Sequence, residues 1–179
     1  MTSLLVLGLS AGCSGDTEVA DPPVTTETEA STSTTEVTTS TAPEPPADDG
    51  AAALAAYEGF WATFVEILSQ PDPELLGALA EYGGGQALDA VEAVIQQYHA
   101  EGVRARGDYE LHPQLVHLDE TSAVLEDCIV DNLGKYLVVT DEVIEPAEGK
   151  GVGFRAGLER EGDRWRVLTL EAADEVCSG

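Results

Sequence analysis

Between residues 51 and 70 the apolar positions Leu54, Tyr57, Trp61, Phe64, Val65 and Leu68 return every three or four residues, which predicts an amphipathic helix with an aromatic stripe. Asp48 and Asp49 stand near its start as caps. Pro71, Asp72 and Pro73 interrupt the pattern, and Asp72 ahead of a proline at the first helical position opens a shorter helix through Leu75, Leu76 and Leu79. Tyr82 and the glycines Gly83, Gly84 and Gly85 end it. A third helix is expected over residues 86–100, with Leu88, Val91, Val94, Ile95 and Tyr98 on one face and Gly102 as its stop.

After Gly102 the period falls from near 3.6 to near 2. Strands are predicted over residues 103–106, 110–118, 122–130, 136–143, 151–161 and 164–172. In the fifth, Val152, Phe154, Ala156 and Leu158 share a face, and its partner alternates around Trp165, Val167 and Thr169. The short polar spacers between strands favour hairpins and an antiparallel sheet. Three N-terminal helices followed by such a sheet give an α+β domain with the helices packed on one side.

Charge divides the chain at Gly50. The 179 residues carry 8 Lys+Arg against 34 Asp+Glu, a formal charge of -26, and a field of that sign repels nucleic-acid backbones and anionic lipid headgroups. Residues 14–50 hold 14 Ser/Thr, 5 Pro and 9 Asp/Glu with no aromatic and no basic residue, a composition unable to offset its ordering entropy; a disordered tether is expected there. All basic and aromatic residues fall in 51–179, the expected globular domain. No run of about 20 apolar residues suggests a bilayer span.

Residues 1–13 read as the end of a bacterial lipoprotein signal peptide. Ser10, Ala11 and Gly12 precede Cys13, the residue such a lipobox lipidates, with Leu9 one place earlier than usual. No basic residue precedes the short apolar run Leu4 to Leu9, which a longer natural amino terminus would explain. The tether would span about 35 Å as a flexible coil and hold the domain off the membrane. The expected location is therefore the extracytoplasmic side of the cell membrane, with the lipid as the only membrane contact.

With Cys13 lipidated, Cys128 and Cys177 remain as an even pair in an exported chain, hence a disulfide candidate; two free buried thiols in a cytosolic protein are the competing account. They make a poor zinc set, no calcium-loop pattern occurs, and neither a metal nor a cofactor is expected.

The aromatic first helix, the Pro-Asp-Pro break, the glycine-ended third helix and the hairpin sheet closing on Glu161-Gly162-Asp163-Arg164-Trp165-Arg166-Val167 together resemble the nuclear transport factor 2 superfamily. The resemblance spans residues 51–179. More narrowly, the chain looks like a secreted actinobacterial lipoprotein branch, in which a strand cysteine like Cys128 pairs with one near the chain end, here Cys177. It implies a curved sheet wrapped around the helices and a conical cavity. Members use that cavity for ligands or for isomerase and dehydratase chemistry, or fill it with side chains.

Isomerase chemistry in such a cavity needs a carboxylate base and a second group to hold an oxyanion. Asp127 and Asp131 are the candidate carboxylates, with Tyr57 or His99 as partner. Both faces of the strand around Asp127 are equally apolar, so parity leaves open whether it points inward or is solvated or hydrogen-bonded structurally. His99 flanks the stripe of the third helix and is either at a cavity mouth or a satisfied boundary residue. Tyr57, Trp61, Phe64 and Tyr98 are the candidate pocket wall, with core packing as the alternative for the aromatic stripe. The function expected is a surface-anchored domain binding a small apolar ligand or an envelope protein, without catalysis. The alternative is an isomerase, dehydratase or cyclase built on Asp127, and a homodimer through the sheet is a third option.

Overall fold

The computed structural model describes residues 47–178. Cys13, the leader and residues 14–46 lie outside the described residues. The element order is α1 (Ala47–Ser69), a 3-10 turn (Pro73–Leu75), α2 (Leu76–Leu79), α3 (Gly85–Glu101), then β1 (Val103–Arg106), β2 (Tyr109–Glu110), β3 (Gln114–Leu118), β4 (Ser122–Asp131), β5 (Gly134–Leu137), β6 (Val143–Glu145), β7 (Lys150–Glu161) and β8 (Arg164–Ala172), closed by a 3-10 turn (Asp174–Ser178). This is the α+β order expected from the sequence: three helices packed on antiparallel sheet.

Helix α1 starts at Ala47, four residues before the predicted start, so Asp49 lies inside its first turn. A carboxylate there favours the helix amino terminus, and Asp49 Oδ2 also accepts from Arg160 Nη1 at 3.0 Å. By length and composition the stretch Asp49–Ser69 could cross a bilayer, contrary to the expectation that no run would. Its aromatic side is instead occupied: Tyr57, Phe60, Trp61, Phe64, Ile67 and Leu68 are all buried in the core. Pro73 opens the next turn as expected, with Asp72 Oδ1 accepting from the Glu74 amide at 2.9 Å. Gly102, at φ 64°, ends α3 and donates its amide to His99 O.

One sheet runs β2-β4-β7-β8, with β3 pairing β4 on the same side as β2; the other runs β1-β5-β6. The strand predicted over 110–118 is two strands. Pro113 has no amide proton and restricts the residue before it, so the ladder lapses at Leu111-His112-Pro113 and resumes at Gln114↔Glu126. The strand predicted over 136–143 is also two, separated by a turn in which Asp141 takes φ 61° and binds Arg104 and Arg106 at 2.6 and 2.8 Å. In β8 the alternation Trp165, Val167, Thr169 fails after Val167. The register shifts between Gly157 and Leu158, so Thr169 is exposed and Leu170 packs against the core instead.

The core lies between α1, α3 and the inner faces of β4, β7 and β8, with Leu125, Ile129, Ala156, Leu158, Trp165 and Val167 facing the helices. Fully burying each large side chain contributes roughly 1.5–3 kcal/mol. The glycine turn between α2 and α3 closes this core. Gly84 donates to Val167 O at 2.9 Å and Val167 donates to Tyr82 O at 2.8 Å. A Cβ on Gly83 would sit 2.5 Å from the Phe60 ring, so the ring rests on bare backbone. The outer face of the large sheet carries the disulfide Cys128–Cys177, with an S–S distance of 2.08 Å, which ties the closing turn to β4.

Candidate functional site

Strand β4 alternates strictly, so Ala123, Leu125, Asp127 and Ile129 face inward while Glu126 and Cys128 face outward. Asp127 is 1% exposed and is the buried charged residue of the described core. The break at Pro113 explains its place there. The His112 amide loses its ladder partner and donates instead to Asp127 Oδ1 at 2.7 Å. The carboxylate thus closes a gap in its own sheet.

Its other oxygen has no such partner. Asp127 Oδ2, Tyr57 Oη and Trp61 Nε1 are all buried without a hydrogen bond. Tyr57 and Asp127 are electrostatic neighbours, but no hydrogen bond of good geometry joins them. Burial is the main cause that pushes the Tyr57 phenol well above its ordinary range, and the Asp127 carboxylate adds to it. Burial likewise raises the Asp127 carboxyl, against the opposing pull of the His112 amide. The group therefore combines a carboxylate that resists ionisation with a phenol that resists losing its proton.

Trp61 joins this interior to the surface. It meets Tyr57 edge-on at 6.2 Å, Tyr109 edge-on at 5.3 Å and Phe154 at 5.6 Å. On its outer side a hollow of about 490 Å³ opens between α1 and the start of β2. Trp61, Val65, Tyr109 and Leu111 form its apolar wall with Ala62, and Glu58 and Asp108 stand at it as its charged residues. Its volume falls within the roughly 300–1,000 Å³ usual for small-molecule sites. Gly107 makes the tight turn into β2 against the end of β4 possible: it takes φ 119°, and a Cβ would lie 2.1 Å from Asn132 O. Asp108 and Tyr109 follow directly, held by the Asn132 amide donating to Asp108 O at 3.1 Å.

Three further hollows among the described residues bear on the site. One, about 310 Å³, holds Asp131, Glu145, Glu148 and Lys150. A second, about 370 Å³, lies by Tyr82 and Trp165 with Glu81, Asp163 and Arg164. The largest of these four, about 660 Å³, runs past Pro71, His99, Arg104, Val138 and Val139. Neither Asp127 nor Tyr57 lines any of these four hollows.

The structure therefore brings Asp127, Tyr57 and Trp61 together and leaves the other candidates elsewhere. His99 is exposed, its Nδ1 within 2.8 Å of Pro71 O at the rim of the largest hollow. Asp131 accepts from the Leu133 amide at 2.8 Å. Of the four expected wall residues, Trp61 lines the hollow between α1 and β2; Tyr57 is wholly buried, Phe64 stacks behind Tyr109 at 6.4 Å, and Tyr98 lies under the Lys135 ammonium at 5.1 Å. Glu58, Ala62, Val65, Asp108, Tyr109 and Leu111 complete that wall; of these the sequence singled out Val65 alone, as part of the helical stripe and not as a wall residue. Their signal was present only in part: Glu58, Ala62 and Val65 surround Trp61 at helical spacing, but nothing local brings Tyr109 to them.

No protein-family model and no curated protein matches the chain. Among solved structures it is similar to the intermembrane space region of the chloroplast protein ARC6, with 17% identity over 68% of this chain and 96% of that one and a TM-score of 0.49. It is similar to a candidate dehydratase of the NTF2-like family from Streptomyces avermitilis, with 17% identity over 72% and 97% and a TM-score of 0.48. A candidate polyketide cyclase from Xanthomonas campestris pv. campestris matches with 18% identity over 66% and 88% and a TM-score of 0.32. At these identities and scores no residue role and no activity passes to this chain.

Proposed function

We propose that residues 47–178 form an exported binding module that seats a small apolar molecule in the hollow between α1 and β2, and that the chain is held to a membrane through a lipid on Cys13. One observation carries the binding function: the hollow lined by Val65, Tyr109, Leu111 and the small exposed part of Trp61 opens at the surface, while Asp127 is sealed away from it and engaged by the His112 amide. A wall of this kind binds by excluding water and needs no reacting group. Export is supported by the Cys128–Cys177 bridge, since such bonds persist in oxidising compartments.

Calorimetric titration with 1-octanol tests the binding function. Saturable binding is expected, and Ala62→Trp, which fills the hollow from an exposed helix position, should abolish it with the near-UV spectrum of the fold retained. Absence of saturation, or equal binding by the variant, would defeat it. For the anchor, mass spectrometry of the membrane-derived protein should find a diacylglyceryl group on Cys13; an unmodified Cys13 in that material would remove the claim.

A second function has a specific observation in its favour. Asp127 Oδ2 and Tyr57 Oη are buried neighbours with no hydrogen bond of good geometry between them, the pairing of base and donor that proton abstraction next to a carbonyl uses. Substrate would have to pass Trp61 to reach them. Exchange of the α-protons of a cyclic ketone for deuterium, catalysed by the parent protein and lost in Asp127→Asn, would establish this function in place of simple binding.

A further inference from the structure

We propose that the hollow between α1 and β2 selects molecules that join an apolar body to a cationic head. This names the ligand class of the site above and rests on its being a binding site. Four observations support it. The wall is apolar and partly aromatic: Val65, Tyr109 and Leu111 line it with Trp61, whose ring meets that of Tyr109 edge-to-face at 85° with centroids 5.3 Å apart.

The second observation is the charge at the wall. Glu58 and Asp108 are both exposed, and among the described residues neither is in an ion pair with Lys, Arg or His. The third is a contrast with the other hollows. Each of those contains its own cationic or titratable nitrogen: Lys150 in one, Arg164 in another, His99 and Arg104 in the largest. Of the four, the hollow at Trp61 has carboxylates and no basic side chain. Finally, the chain's charge of -26 draws cations toward any such cleft and repels fatty acids and other anionic amphiphiles. The apolar wall supplies burial for the body of the ligand, and the two carboxylates supply the positive head with the partners that the protein itself withholds.

The test is calorimetry on the full chain with three probes sharing one alkyl chain: octyltrimethylammonium, 1-octanol and octanoate, each below its micellar concentration. The expected order places the ammonium about tenfold tighter than the alcohol, the strength of two exposed charge pairs, with octanoate weakest. Glu58→Gln with Asp108→Asn should remove the advantage of the ammonium over the alcohol, and added salt should act in the same direction. Equal binding of ammonium and alcohol by the parent would overturn the charge selectivity while leaving the binding site intact. Failure of all three probes would overturn both. A dimer in sedimentation that Ala62→Trp dissociates would assign the hollow to a second copy of the chain and likewise overturn the proposal.

Discussion

Adjacent residues of β4 show two ways of placing chemistry on a sheet. On the outer face, Cys128 is bridged to Cys177 and Glu126 pairs with Arg155 at 2.5 Å, so each group is satisfied by a partner brought from another part of the chain. On the inner face, Asp127 has one oxygen bound to the His112 amide, while the other lies near the Tyr57 hydroxyl, itself close to the Trp61 indole, with no hydrogen bond of good geometry among the three. The outer face is built for stability. The inner face tolerates buried polar groups at a cost, and a cost of that kind is retained where a local gap or a function requires it.

The contrast can be broken from the outer side first. Replacing Cys128 and Cys177 together by Ser should give the largest loss, about 4 kcal/mol for a loop whose ends are 49 residues apart, read as a lowered denaturation midpoint in urea. Next comes Asp127→Ala, which orphans the His112 amide inside the core; it should cost about 1–3 kcal/mol in the same assay. If its effect were negligible, the carboxylate would not be closing the gap at Pro113.

Asp127→Asn sharpens the comparison in the opposite direction. Burial holds the folded-state carboxyl above its unfolded value, so the folded state binds that proton more tightly than the unfolded chain does. The native carboxylate therefore lowers stability from the unfolded pKa, about 3.9, upward until pH passes the folded pKa, and by a constant amount beyond. The amide, which keeps an acceptor for His112, should raise the Tm at neutral pH by a few degrees. Its advantage over the parent should shrink as pH falls toward 4, and an advantage independent of pH would contradict the cause given for the shift. Smallest of all should be Arg155→Ala, which breaks an exposed pair on the outer face and should leave the midpoint unmoved.

The sequence made the helices legible because each has a periodic apolar face and a chemical stop: Pro71 after α1, the glycine turn after α2, Gly102 after α3. The strands were legible as a series, but their breaks were not all recognised. Pro113 is visible in the run it divides, whereas the break before β6 depends on Arg104 and Arg106 reaching Asp141 from β1. The bulge in β8 depends on its pairing with Gly157. The orientation of Asp127 was hidden for a related reason: the outer face of β4 is apolar too, because the closing turn and its disulfide lie against it. The hollow was the least legible feature. Trp61 was among its expected walls, but Asp108 and Tyr109 reach it only through the turn at Gly107, whose close approach to Asn132 is a tertiary fact. The resemblance to the nuclear transport factor 2 superfamily anticipated helices on an antiparallel sheet and said little about which side of Trp61 is open.

The chain contains two tryptophans, Trp61 at the proposed site and Trp165 on β8 away from it, so fluorine NMR of the 5-fluorotryptophan-labelled protein tests the central claim most directly. Titration with 1-octanol should shift the Trp61 resonance saturably, leave Trp165 in place, and do so equally in the parent and in Asp127→Asn. A stationary Trp61 signal, or a shift that disappears in Asp127→Asn, would contradict a ligand seated outside the buried carboxylate.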